Sequence, residues 1–97
     1  MFPVITNPPQ TIDAEFGAEV VLTCKATAQP PPIYTWFERE GNVSVSVEGE
    51  TQEILSFDKL KPVDRGVYFC KAENELGVAV SDDAILSING IEVIIIF

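Results

Sequence analysis

Apolar residues in this chain do not recur at the helical spacing over any useful length; they alternate with polar residues in short runs that stop at Pro, Gly, Asn or Asp. Such a pattern buries one face of many short strands and offers no stripe on which to build a helical bundle. Val4 to Thr6 reads as a first edge strand, cut by Asn7-Pro8-Pro9 because proline has no amide to give a ladder, with a second short piece around Thr11 to Asp13. Val20, Leu22 and Cys24 then alternate with Val21, Thr23 and Lys25, which places the apolar set on one face. Gln29 to Pro32 breaks that strand before Tyr34 and Trp36 open the next. Gly41-Asn42 is a turn signal ahead of Val43, Val45 and Val47, which alternate with Ser44, Ser46 and Glu48. Leu55 and Phe57 follow a turn at Gly49 to Gln52, and the Leu60 to Gly66 segment crosses between sheets. Val67 to Glu73 carries Tyr68, Cys70 and Ala72 on one face, and Asn74 to Gly77 makes a short loop into a last strand from Val78 to Ile88. About eight strands with no repeat and no linker suit one two-layer domain over residues 1–90. Met1 ahead of Phe2-Pro3-Val4 reads as a start residue on a piece of a longer protein.

The residue inventory argues against most chemistry. There is no His, so the commonest general base and metal ligand is missing, and the serines have nothing to activate them. Acidic pairs such as Asp82-Asp83 or Glu73 and Glu75 are expected by chance among the 15 carboxylates, and neighbours on a strand point to opposite faces. No Gly-rich loop is present to hold phosphate. The expectation is therefore a non-enzyme with no cofactor and no metal site. A net charge of -9 repels nucleic acid and anionic membrane alike. No run approaches the roughly 20 apolar residues of a membrane-spanning helix. Cys24 and Cys70 are too distant in sequence for a CxxC redox pair and too few for zinc, so they are either a disulfide or two buried apolar plugs.

Joint spacing carries more information than any one residue. Cys24, Trp36, and then Leu55-x-Phe57-x-x-Leu60-x-x-x-Asp64-x-Gly66-x-Tyr68-x-Cys70 resembles the intermediate-set (I-set) pattern of the immunoglobulin superfamily, as do Pro30-x-Pro32-x-x-x-Trp36 and Ala72-x-Asn74-x-x-Gly77. The likeness runs from Val4 to Ile88. It implies an immunoglobulin-like Greek-key sandwich of two sheets and about seven to eight strands, with Cys24 and Cys70 bonded between the sheets and Trp36 packed against the bridge. Leu55 joins that core. Tyr68, two residues before the second cysteine, is placed for a tyrosine corner. Gly66 is read as letting the chain turn, and Asp64 as an acceptor of amide hydrogens. The stretch between Trp36 and Leu55 is short for this family, so one central edge strand should be abbreviated.

The resemblance also implies a role. Domains of this kind are beads in multi-domain cell-surface adhesion molecules and receptors, binding a protein ligand or a second copy of themselves through a sheet face or the strand ends. Relatives inside cells serve as structural or scaffold domains with reduced cysteines, and that is the alternative reading, with a cytoplasmic location. Asn42-Val43-Ser44 fits the N-glycosylation acceptor and favours the extracellular one. Ile91 to Phe97 is apolar but for Glu92, and reads as an extension or the start of a following segment. In water such a strand-prone run should seek a partner in the body of its own domain, in an adjoining domain or in the same segment of a second copy, and the last option gives a homodimer through the C-terminal strand.

Overall fold

The computed structural model describes residues 1–47 and 52–89. One layer is a 6-stranded sheet in the order β2 (Ile12–Glu15), β10 (Ala84–Asn89), β8 (Gly66–Asn74), β5 (Ile33–Glu40), β6 (Val43–Ser46), with β9 (Gly77–Val80) also paired to β8. Facing it are two short ladders, β3 (Val20–Thr23) with β7 (Ile54–Phe57), and β1 (Val4–Asn7) with β4 (Lys25–Thr27). Among the described residues all pairings are antiparallel except β2 with β10, which is parallel. A 3-10 turn at Pro62–Asp64 precedes β8.

Alternation decides which side chains enter the space between the layers. Val20 and Leu22 from β3, Trp36 from β5, Leu55 from β7, Tyr68 and Cys70 from β8 and Leu86 from β10 form one buried cluster with Cys24 and Leu60. Trp36 is fully buried, and its indole N–H donates to the Gln52 carbonyl at 2.9 Å, so the ring enters the core without an orphan donor. Cys24 and Cys70 are bonded, with Cα atoms 6.5 Å apart, joining the β3–β4 junction to β8 across the sandwich.

The described residues form ten strands where the sequence suggests about eight. Two strands are interrupted. One break is at Cys24, whose amide still follows the β7 ladder to the Glu53 carbonyl at 2.7 Å before the chain passes as β4 to pair with β1. The other is at Ser81 to Asp83, inside what reads as one last strand. There the Ser81 amide donates to the Cys70 carbonyl at 2.9 Å, and the Ser81 hydroxyl accepts from the Cys70 amide at 2.9 Å while donating to Asp82. Ser81 thus mimics a strand partner with its side chain and ends the regular ladder.

Gly66 does not adopt a positive φ, and the one close neighbour of an added side chain would be the movable end of Glu38. It opens β8, and a Cβ there would stand 2.7 Å from Glu38 Oε2. Among the described residues no strand lies between β6 and β7, in accord with the abbreviated central edge. The apolar run at residues 91–97 lies outside the described residues.

Candidate interaction face

The same alternation that sends Tyr34, Trp36 and Glu38 inward turns Ile33, Thr35, Phe37 and Arg39 to the outer surface of the large sheet. On β8 the outward set is Val67, Phe69, Lys71 and Glu73. The antiparallel register sets Phe37 opposite Phe69. Their rings stack with centroids 5.1 Å apart and planes inclined by 11°. Each ring is followed two positions later by a base, Arg39 on β5 and Lys71 on β8. Because the strands run in opposite directions, each base reaches diagonally across the pair to the ring on the other strand. Arg39 lies 4.4 Å over the Phe69 centroid and Lys71 5.8 Å over that of Phe37. Asp83 takes the Arg39 guanidinium at 2.8 Å, and Glu73 lies 3.5 Å from Lys71.

Around this ladder the face is apolar and open. Ile33 is 66% exposed, Val80 57%, Val78 52% and Ile85 51%. The result is a mixed patch, with Phe69 buried beneath Arg39, Phe37 half-buried, branched aliphatics exposed around them, two cations aligned by the rings, and acids at the margin. Such a surface suits a protein partner, since aromatic and Arg side chains are enriched in protein interfaces. The sequence carries a usable signal for it, the repeated pairs Phe37-x-Arg39 and Phe69-x-Lys71, but only the register brings them together.

The residues singled out from the sequence occupy other positions. Cys24, Cys70, Trp36, Leu55 and Tyr68 all lie in the core and none faces a partner. The Tyr68 hydroxyl donates to the Asp64 carbonyl at 2.7 Å, closing a tyrosine corner, while Asp64 Oδ2 accepts the Lys61 amide at 2.9 Å. Burial, with the charges of Glu38 and Asp64 nearby, pushes the Tyr68 hydroxyl well above the usual tyrosine range. Glu38 is raised too, first by partial burial and then by Glu40 and Asp64. Tyr34 makes a link that the sequence does not announce: its hydroxyl accepts the Ala26 amide at 2.9 Å and returns its proton to the Ala26 carbonyl at 3.3 Å, tying β5 to β4. Asn42 is exposed at the β5–β6 turn.

A family model described as "Immunoglobulin domain" matches residues 3–74. Hemicentin-2 of Mus musculus is 35% identical over 85 residues, covering 82% of this chain, and the match takes in 2% of hemicentin-2. The N-terminal Ig1-2 module of the Drosophila receptor protein tyrosine phosphatase DLAR superposes with a TM-score of 0.80 at 30% identity, covering 91% of this chain and 46% of that one. The titin domains z1z2 in complex with telethonin superpose with a TM-score of 0.79 over 95% of this chain and 49% of theirs, at an identity of 21% that shows the fold alone. The bridged sandwich, the tyrosine corner and the family match agree: this chain belongs to the immunoglobulin domain family.

Proposed function

We propose that this domain is a protein-recognition module of a longer, multi-domain cell-surface protein, and that it works outside the cell. It acts by binding and not by catalysis. The observation that carries the reading is the Cys24–Cys70 bond in the core, since disulfides persist in oxidising compartments and are rare in the cytosol. Relatives among cell-adhesion and receptor proteins of immunoglobulin type support it. The partner surface we assign to the outer face of the large sheet, with the ring and cation ladder at its centre and Ile33, Val78, Val80 and Ile85 around it. The partner is a protein, either a distinct ligand or a second copy, and neighbouring immunoglobulin domains flank this one.

Intact mass of protein from its native source tests the location: a formed bridge removes two hydrogens, and free thiols would sink the reading. Binding is tested with the chain displayed in many copies on beads, scored for bead clustering and for capture on cells. Val80→Asp should abolish capture with the fold intact by circular dichroism, and undiminished capture would move the site off this face. Residues 91–97 we assign to a following segment that pairs two copies when left unpartnered. Their deletion should turn a dimer into a monomer by light scattering, and a monomeric full chain would refute the pairing.

A further inference from the structure

Asn42-Val43-Ser44 coincides in this fold with an open sheet edge. Gly41 and Asn42 are the two turn residues between Glu40 and Val43, which pair across the β5–β6 hairpin, and Gly41 takes a φ of 64° at the first turn position, where Gly is preferred. Asn42 is exposed, and its side-chain amide makes no hydrogen bond among the described residues. Ser44 accepts only a long surface bond, 3.4 Å from Arg39 Nη1. Both polar groups of the acceptor triplet are therefore reachable.

The strand that follows needs protection. β6 ends the sheet, every residue in it is exposed, and its sequence is Val-Ser-Val-Ser with no charge and no proline. No described strand covers its outer side. At the opposite end of the same sheet, β2 carries Asp13 and Glu15, the kind of charge that keeps an edge from pairing with another chain. An exposed, uncharged edge with valine at every other position and no such device recruits further strands.

We propose that Asn42 carries an N-linked glycan and that this glycan shields the β6 edge. The inference rests on the extracellular reading above. In the attachment step the Asn42 side-chain nitrogen forms a bond to the anomeric carbon of an oligosaccharide held on a lipid pyrophosphate. The bond from that carbon to the pyrophosphate oxygen breaks, the lipid pyrophosphate leaves with the electron pair, and the amide loses one proton. The bulky polar chain then projects from the hairpin tip, beside the backbone groups that a second strand would have to reach.

The full chain, Asn42→Gln and Ser44→Ala are secreted from a eukaryotic host, and intact mass is read before and after peptide N-glycosidase. The wild type should carry sugar mass that the enzyme removes, leaving aspartate at position 42, and both variants should lack it. In light scattering the two bare variants should self-associate at several-fold lower concentration than the wild type, and adding Val45→Lys to Asn42→Gln should reverse the change. A secreted chain with its disulfide formed but Asn42 bare overturns the glycan while leaving the extracellular reading intact. Bare variants that associate no further than the wild type at the same concentration overturn the shielding. A secreted chain whose thiols stay free overturns the extracellular reading, and this inference with it.

Discussion

The layer built on β5 and β8 has strands of 8 and 9 residues paired continuously from Ile33↔Glu73 to Arg39↔Val67. The facing layer is made of 4-residue pieces, β3 on β7, and of β1 on the 3-residue β4. The long layer holds its own shape through its ladder and stiffens it on the outside with stacked rings under two bases. The short layer is tied to the long one at separate points: the Cys24–Cys70 bond, the Tyr34 hydroxyl on Ala26, and the Trp36 indole on Gln52. Around the long layer's ladder the outer face leaves Ile33, Val78, Val80 and Ile85 exposed and so open to a partner. The tethered layer is where the fold should give way first.

Cutting the strongest tether is the most severe test. Replacing both Cys24 and Cys70 by Ala should lower stability by roughly 4 kcal/mol, as the loop-entropy account of a bridge of this span implies. Hydrogen exchange should then accelerate in β3 and β4 before β5 and β8. Uniform acceleration in both layers would break the comparison.

Next in size are the two tyrosine hydroxyls. Tyr68→Phe should cost about 1 to 2 kcal/mol in urea melts, and Tyr34→Phe about 1 kcal/mol, because the latter leaves the Ala26 amide and carbonyl without their partner. Tyr68→Phe should also alter the alkaline limb. The folded protein holds the Tyr68 proton more tightly than the unfolded chain, whose tyrosines ionise near the ordinary value of 10.0. The stability from Tyr68 is therefore whole below that pH and falls as pH rises above it, so wild type should lose stability there more steeply than Tyr68→Phe.

Smaller effects belong to the outer face. Arg39→Ala removes a surface ion pair and a contact over Phe69 and should cost less than about 1 kcal/mol, as the Arg39 and Asp83 side chains are both substantially solvent-exposed. A larger loss in thermal melts would mean that the ladder is structural first and a binding surface second. Glu38→Gln should raise stability at neutral pH, by less than about 1 kcal/mol given its partial exposure. Its raised carboxyl opposes folding once ionised, so the gain should vanish as pH drops below the ordinary value of 4.5. A gain that persisted in acid would place its cause in packing against Gly66.

Much of the inward-facing set is legible in the chain. Val20, Leu22, Trp36, Leu55 and Tyr68 sit at strand periods and at spacings that belong together. The break at Ser81 is not legible there, since Val78 to Ile88 alternates well enough for one strand and the reason for the interruption lies on β8, in the amide and carbonyl of Cys70. Gly66 suggests conformational freedom when read along the chain, whereas it takes no positive φ and instead lies against the carboxylate end of Glu38, a fact about a different strand.

Alternation is a property of the chain read in order and is enough to specify a layered all-β domain and much of its core, while the bridge is implied by the family resemblance that the spacing of Cys24, Trp36, Tyr68 and Cys70 carries. The interaction face depends on how the strands assemble. Phe37 and Phe69 meet, and Arg39 and Lys71 cross to each other's rings, because β5 and β8 pair in one register out of several that their side chains would permit locally. That register is the one that turns Trp36 of β5 and Tyr68 and Cys70 of β8 into a single core with Val20, Leu22 and Leu86, groups far apart in the chain whose combined effect no local pattern records.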